Sequence, residues 1–303
     1  MIRLLFGLII LGIVGFIILN KPDTKLNSSQ AQQDNQSEEG IKLNPSATKI
    51  ALISNTTNNS VTKTLVGLIK DINPAAVAHI GNLGIDGEAN FSDSYKDIFD
   101  FNKKEFLPAI GEQDLDLVDA TKKEFNLKKT YYSRNFKNIH LVALDSNLLN
   151  DDANKAEMLN WLRTDLSKLK KSQVSVVYFF HSPVTSASLH KPSETSLREI
   201  TPILDEYLVD FVITAENHNY QRSCPLNLTG ISEVCTSPGS LYIVSGGGGA
   251  PLQGFTGTRE EIIRQRVKAY HFVLIEVDGQ NIHLRAIDTE GKTIDDIELK
   301  KKI

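Results

Sequence analysis

The sequence predicts an α/β domain, a layered sandwich of β-sheets covered by helices. Short apolar runs alternate with amphipathic stretches from residue 48 to about residue 213, as expected of strands joined by helices. After residue 240 the helical spacing stops and strands alone follow. The first 47 residues differ in composition from the rest, and residues 48–303 are long enough to bury a substantial core. Hydrophobic content of 41% and charged content of 23% exclude wholesale disorder. A net charge of −4 leaves no basic excess for nucleic-acid binding.

Each element has its own warrant. Ile50-Ala51-Leu52-Ile53 is a continuous apolar run and predicts a buried strand. Residues 61–72 carry Leu65, Leu68, Ile69 and Ile72 at helical spacing. Strands are expected over 76–80, 139–144 and 174–180, each an apolar run. Leu159, Leu162, Leu166 and Leu169 fall on one face of a helix over 156–169. A helix over 197–207 and a strand over 211–213 follow. Strands over 241–244, 271–277 and 282–287 end the series, with Asp278-Gly279 and Glu290-Gly291 as turns. In such folds chemistry belongs to the loops at the carboxyl ends of the strands.

Residues 1–20 predict a transmembrane signal-anchor. Residues 4–19 hold no charge, and Arg3 precedes them. The run is close to the ~20 residues needed to span a bilayer and longer than the ~7–15 apolar residues of a signal peptide. No small-residue cleavage site follows at once. Residues 21–47 are polar and rich in Ser, Gln and Asn, and read as a disordered linker. This places residues 48–303 as one domain outside the cytoplasm, on a single-pass membrane protein. Two cysteines, Cys224 and Cys235, are too few for a disulfide scaffold. A single loop-closing bridge and two free thiols are both open, the bridge being favoured outside the cytoplasm.

Five loops carry specific text: Ser54-Asn55-Thr56-Thr57, Gly81-Asn82-Leu83-Gly84-Ile85, Gly111-Glu112-Gln113-Asp114, His181-Ser182-Pro183 and Ala215-Glu216-Asn217-His218. Their order and spacing resemble the calcineurin-like metallophosphoesterases, and within them the purple-acid-phosphatase-like branch. That pattern is D-x-[GH], G-D-x-x-Y, G-N-H-[DE], H-x-P and G-H-x-H. The stretches 139–146, 217–222 and 241–251 resemble the same branch, so the likeness covers about residues 48–290. The run Gly246–Gly249 lacks the Lys-Ser/Thr of a phosphate-binding loop, and tight packing is the expected reason for it.

The resemblance implies a hydrolase fold that holds two metal ions and attacks phosphate esters with metal-bound hydroxide. The matching positions are altered. Asn55 and Asn82 stand where the family has aspartates, the second of them bridging the metals. Ile85 replaces a tyrosine ligand, Gln113 a histidine acid, and Glu216 a histidine ligand. Isoleucine cannot coordinate, and glutamine cannot serve as a proton donor of useful pKa. His181, His218 and Asp114 keep the pattern.

Three functions compete. The first is a non-catalytic phosphoesterase fold that binds a protein partner or a phosphorylated ligand. The second is a divergent phosphoric-ester hydrolase using one divalent ion. Asn82, Glu112, His181 and Glu216 would ligate that ion, and His218 would approach the phosphate or the leaving group. The third, Ser-His-Asp chemistry through Ser182, His181 and Asp145, lacks a G-x-S-x-G elbow. The first is preferred, because bridge, tyrosine and acid are lost together.

Overall fold

The computed structural model describes residues 41–83, 105–184, 190–229, 234–257 and 259–301. The described residues fall within one unit, Gly40–Ile303. The expected signal-anchor at 1–20, most of the linker and Ile85 lie outside the described residues. No helix among the described residues is long and apolar enough to cross a membrane.

In chain order the elements begin with β1 (Thr48–Ile53), α1 (Ser60–Ile72), β2 (Ala76–His79) and β3 (Glu105–Pro108). A short 3-10 helix, Glu112–Leu117, leads into α2 (Val118–Glu124), β4 (Tyr132–Phe136) and β5 (Ile139–Ala143). Next come α3 (Asp152–Leu166), β6 (Val174–Tyr178), α4 (Glu194–Glu199), α5 (Thr201–Glu206) and β7 (Phe211–Thr214). Strands β8 (Tyr220–Leu226), β9 (Ser240–Ser245), β10 (Ile263–Val267), β11 (His271–Asp278), β12 (Asn281–Asp288) and β13 (Thr293–Lys300) complete the series.

The described strands form two mixed sheets, ordered β13-β12-β11-β1-β2-β3 and β10-β8-β9-β7-β6-β5-β4. Strand alternation explains how they pack. Ile50, Leu52, Ala76 and Ala78 of the first sheet meet Val174, Val176, Tyr178, Phe211 and Ile213 of the second in one core. The opposite faces receive the helices. Ala51, Ile53 and Val77 pack under Leu65, Val66 and Ile69 of α1, each such fully buried aliphatic chain contributing about 1.5–3 kcal/mol. Val177 and Phe179 pack under Leu159, Leu162 and Leu166 of α3. The layered α/β sandwich is therefore the fold.

Local chemistry sets the element ends. Asn59 caps α1 by accepting the Thr62 N–H at 2.9 Å, and Asn73 closes it in the left-handed region at φ 57°. Helix α3 starts earlier than the leucine spacing indicates, because Asp151 accepts from the Ala153 and Asn154 amides. The expected helix over 197–207 is two short helices, with Pro202 in the first turn of the second, where its missing N–H does no harm. Strands β3, β4, β8, β10 and β13 were not expected. The last three carry polar or charged residues, as in Tyr220-Gln221-Arg222, Ile263-Arg264-Gln265-Arg266 and Thr293-Ile294-Asp295-Asp296. Order also begins before residue 48. Ile41 and Leu43 pack on the α1 side of the first sheet, and Asn44 donates to Glu276 and Asp278. Cys224 and Cys235 form a disulfide.

Candidate functional site

Strands β1, β2 and β3 run parallel, as do β5, β6, β7 and β9. Their carboxyl ends therefore meet at one pole of the sandwich. The five loops singled out in the sequence follow β1, β2, β3, β6 and β7, so they converge there.

One half of this pole is a closed chain of amides. The Gln113 backbone N–H donates to Asn82 Oδ1 at 3.0 Å, so that atom is the oxygen. Asn82 Nδ2 then donates to Asn55 Oδ1 at 2.9 Å. Asn55 Nδ2 in turn lies 3.4 Å from both the Gly246 carbonyl and Ser54 Oγ. A backbone donor at one end and a backbone acceptor at the other fix the direction of the whole chain. Both asparagines are buried and both sit at positive φ, 49° and 55°, a region asparagine tolerates better than most residues.

Asp114 lies beneath, accepting the Gly111, Asn82 and Leu83 N–H groups at 2.7–2.8 Å. Burial pushes its pKa up while those three bonds hold it down. His79 is buried and neutral, its pKa lowered to about 3 by desolvation. Its Nδ1 accepts the Gly81 N–H, so Nε2 carries the proton to Thr56 Oγ1 at 2.9 Å. The glycine run packs against this half. A Cβ on Gly246 would meet the Asn217 carbonyl at 1.9 Å, and one on Gly248 the Ser54 carbonyl at 2.0 Å. Close packing is thus the reason for these glycines.

The other half holds titratable groups. Burial lowers the His181 pKa, and the Glu112 charge partly restores it. His181 Nδ1 is 2.8 Å from Ser146 Oγ. Burial pushes the Glu216 carboxyl up to about 7. The Ser182 N–H opposes that shift, and the Glu112 charge adds to it. Glu216 Oε2 accepts that N–H at 3.2 Å, and Oε1 lies 3.7 Å from His190 Nδ1. His218 gives its Nδ1 proton to the Pro251 carbonyl at 3.0 Å, and burial lowers its pKa. His190 went unnoticed in the sequence, where it belongs to none of the five motifs. Ser182, His181 and Asp145 make no triad. Ser182 Oγ donates to the Val184 carbonyl and accepts from Thr214, while Asp145 accepts from Asn147.

No family model matches the chain. A probable inactive purple acid phosphatase of Arabidopsis thaliana is 26% identical over 176 residues, spanning 52% of this chain and 28% of that protein. The purple acid phosphatase PPD1 of yellow lupin (Lupinus luteus) superposes with a TM-score of 0.71 at 17% identity, covering 84% of this chain and 54% of the lupin chain. GAP50 of Plasmodium superposes with a TM-score of 0.69 at 14% identity, covering 85% and 90%. The fold is that of the purple acid phosphatases and other calcineurin-like metallophosphoesterases.

Against the purple-acid-phosphatase pattern, the positions of the bridging aspartate and its neighbour are Asn82 and Asn55, tied to each other. The Gln113 side chain, at the position of the acid, is exposed, and only its backbone N–H enters the site. The single-ion set is not assembled. Glu112 lies near enough to His181 and Glu216 for its charge to act on both, but among the described residues no three His, Cys, Asp or Glu side chains are placed to hold a metal ion. The reason lies in their bonds. Asn82 Oδ1 takes the Gln113 N–H, and Glu216 turns to the Ser182 amide and His190. The residues present do not fit the family's metals.

Proposed function

We propose that this chain is a non-catalytic phosphoesterase-fold protein, anchored to a membrane through residues 1–20 with its folded domain outside the cytoplasm. It uses the fold to bind or to hold position. The Asn55–Asn82 amide chain carries this reading. A bridging site needs anionic oxygens free to face two dications, and here neutral amides spend their donors and acceptors on each other and on backbone groups. The inactive Arabidopsis relative points the same way. The Cys224–Cys235 disulfide suits an oxidising compartment. GAP50, which shares the fold, is described as the anchor in the inner membrane complex of Plasmodium, so the fold is compatible with such a role. The exposed Glu112 carboxylate beside Glu216 disfavours a phosphorylated ligand there, which favours a protein partner.

The test is metal content and phosphomonoester turnover of the purified full chain after loading with Mn²⁺, Zn²⁺, iron or Mg²⁺. Loss of one acid–base or electrostatic element commonly costs ~10²–10⁴ in rate, so background turnover and substoichiometric metal are expected. Turnover of roughly one per second or more, within the ordinary enzyme range and abolished by His181→Ala, would overturn the proposal.

A further inference from the structure

We infer that the pole opposite the candidate site docks onto an anionic phospholipid surface. The inference rests on the membrane placement proposed above. A groove of about 850 Å³ opens at the amino ends of β6, β7 and β9, between the ends of α3 and α5 and the β12–β13 edge. Leu208 and Leu299 line it and are 52% and 38% exposed. Leu208 stands at φ 51°, in the left-handed region that glycine occupies without strain. Neither packing nor backbone geometry calls for a leucine there, so a large apolar side chain is held in solvent against local preference.

The charge around the groove departs from that of the chain. The whole protein carries −4, yet Lys170, Lys171, Lys300 and Lys301 line the groove against Glu206 and Asp210. Lys301 is spent on Asp210 at 2.6 Å, and Glu206 faces Arg163 at 3.9 Å. Lys170, Lys171 and Lys300 remain exposed beside the two leucines. Lysines flanking exposed apolar side chains are the composition that an anionic lipid interface binds. At the candidate-site pole the carboxylates of Glu112 and Asp116 are exposed.

Lys42 joins the flank of the first sheet, where its carbonyl accepts from Arg285 at 2.9 Å. Tethering holds the surface at an effective concentration of order mM. Each lysine near an anionic surface is worth ~5-fold in affinity, so three suffice for substantial occupancy.

The test is hydrogen–deuterium exchange of the full chain in phosphatidylcholine vesicles, with and without roughly one-third phosphatidylglycerol. Peptides covering 166–171 and 205–210 should exchange several-fold more slowly in the anionic vesicles. The protection should vanish at about 0.5 M salt, where screening is nearly complete. Lys170→Glu with Lys171→Glu should abolish it. Leu208→Gly should weaken it while raising the melting temperature, a combination a structural role would not give. Equal exchange in both vesicles, with the chain still resistant to carbonate extraction, overturns docking and leaves the anchor standing. Extraction by carbonate overturns the anchor, and docking with it. Protection in native membranes alone overturns lipid docking in favour of a protein partner.

Discussion

The two halves of the candidate site have become different materials. Around Asn55 and Asn82, donors and acceptors are matched one to one, and the glycine strand closes over them. Around His181 and Glu216, ionisable groups act on one another's charge and are only partly paired. The first half behaves as core. Its polar atoms hold loops together, as a satisfied buried network does. The second half keeps the chemistry of a site without the partner charges that would complete one. Losing a metal centre therefore leaves two separate problems. The bridge must be neutralised, which the asparagines accomplish. The remaining ligands must be hydrated or paired, which is only half done.

The strongest way to break this contrast is to restore the charges. Asn55→Asp with Asn82→Asp places two carboxylates where an N–H···O contact of 2.9 Å now stands. Both positions are buried, and an uncompensated buried charge costs roughly 3–5 kcal/mol. The double variant should unfold at lower denaturant, and excess Mn²⁺ or Zn²⁺ should recover part of the loss. An unchanged midpoint without metal would mean that the pair is not the closed amide chain described above.

The open half can be separated by pH. The folded-state pKa of Glu216 is raised from 4.5 to about 7, so the native protein holds a proton that the unfolded chain has released. This term therefore favours folding below pH ~4.5 and is progressively lost as pH rises towards ~7. Glu216→Gln removes the titration. Relative to the natural chain it should be neutral near pH 4 and more stable near pH 8 by about 2–3 kcal/mol. A variant less stable at pH 8 would show instead that the carboxylate is held by a cation.

Much of this was legible in the sequence, for physical reasons that also mark its limits. The buried strands β1, β5, β6 and β11 are covered on both faces and read as continuous apolar runs. The outlying strands β10 and β13 lie at sheet edges, where few residues are fully buried, and charged text hides them. The loop motifs located the pole, because spacing along parallel strands fixes where their ends meet. Bonding within the pole was not legible. Glu112 and Glu216 looked like ligands by residue type, but which atom takes the Ser182 or Gln113 amide depends on three-dimensional placement. The conversion of Asn82 from candidate ligand to network member likewise depends on a backbone N–H that no motif records.

That backbone N–H supplies the smallest and sharpest prediction. Gln113 stands at the acid position of the purple acid phosphatases, yet its side chain is exposed and its contribution is the amide that donates to Asn82 Oδ1. Gln113→Ala keeps the amide and should shift stability by no more than about 0.5 kcal/mol, as surface substitutions do. Gln113→Pro deletes the amide at the second residue of a 3-10 helix, in the first turn, where proline is best tolerated. Asn82 Oδ1 then loses its donor, and a buried acceptor left without one costs about 1–3 kcal/mol. Denaturant midpoints of the two variants decide the matter. Equal midpoints would detach Gln113 from the amide chain, and the closed half would then begin at Asn82. A large loss in the alanine variant would return the side chain to the site and reopen the comparison with the catalytic members of the fold.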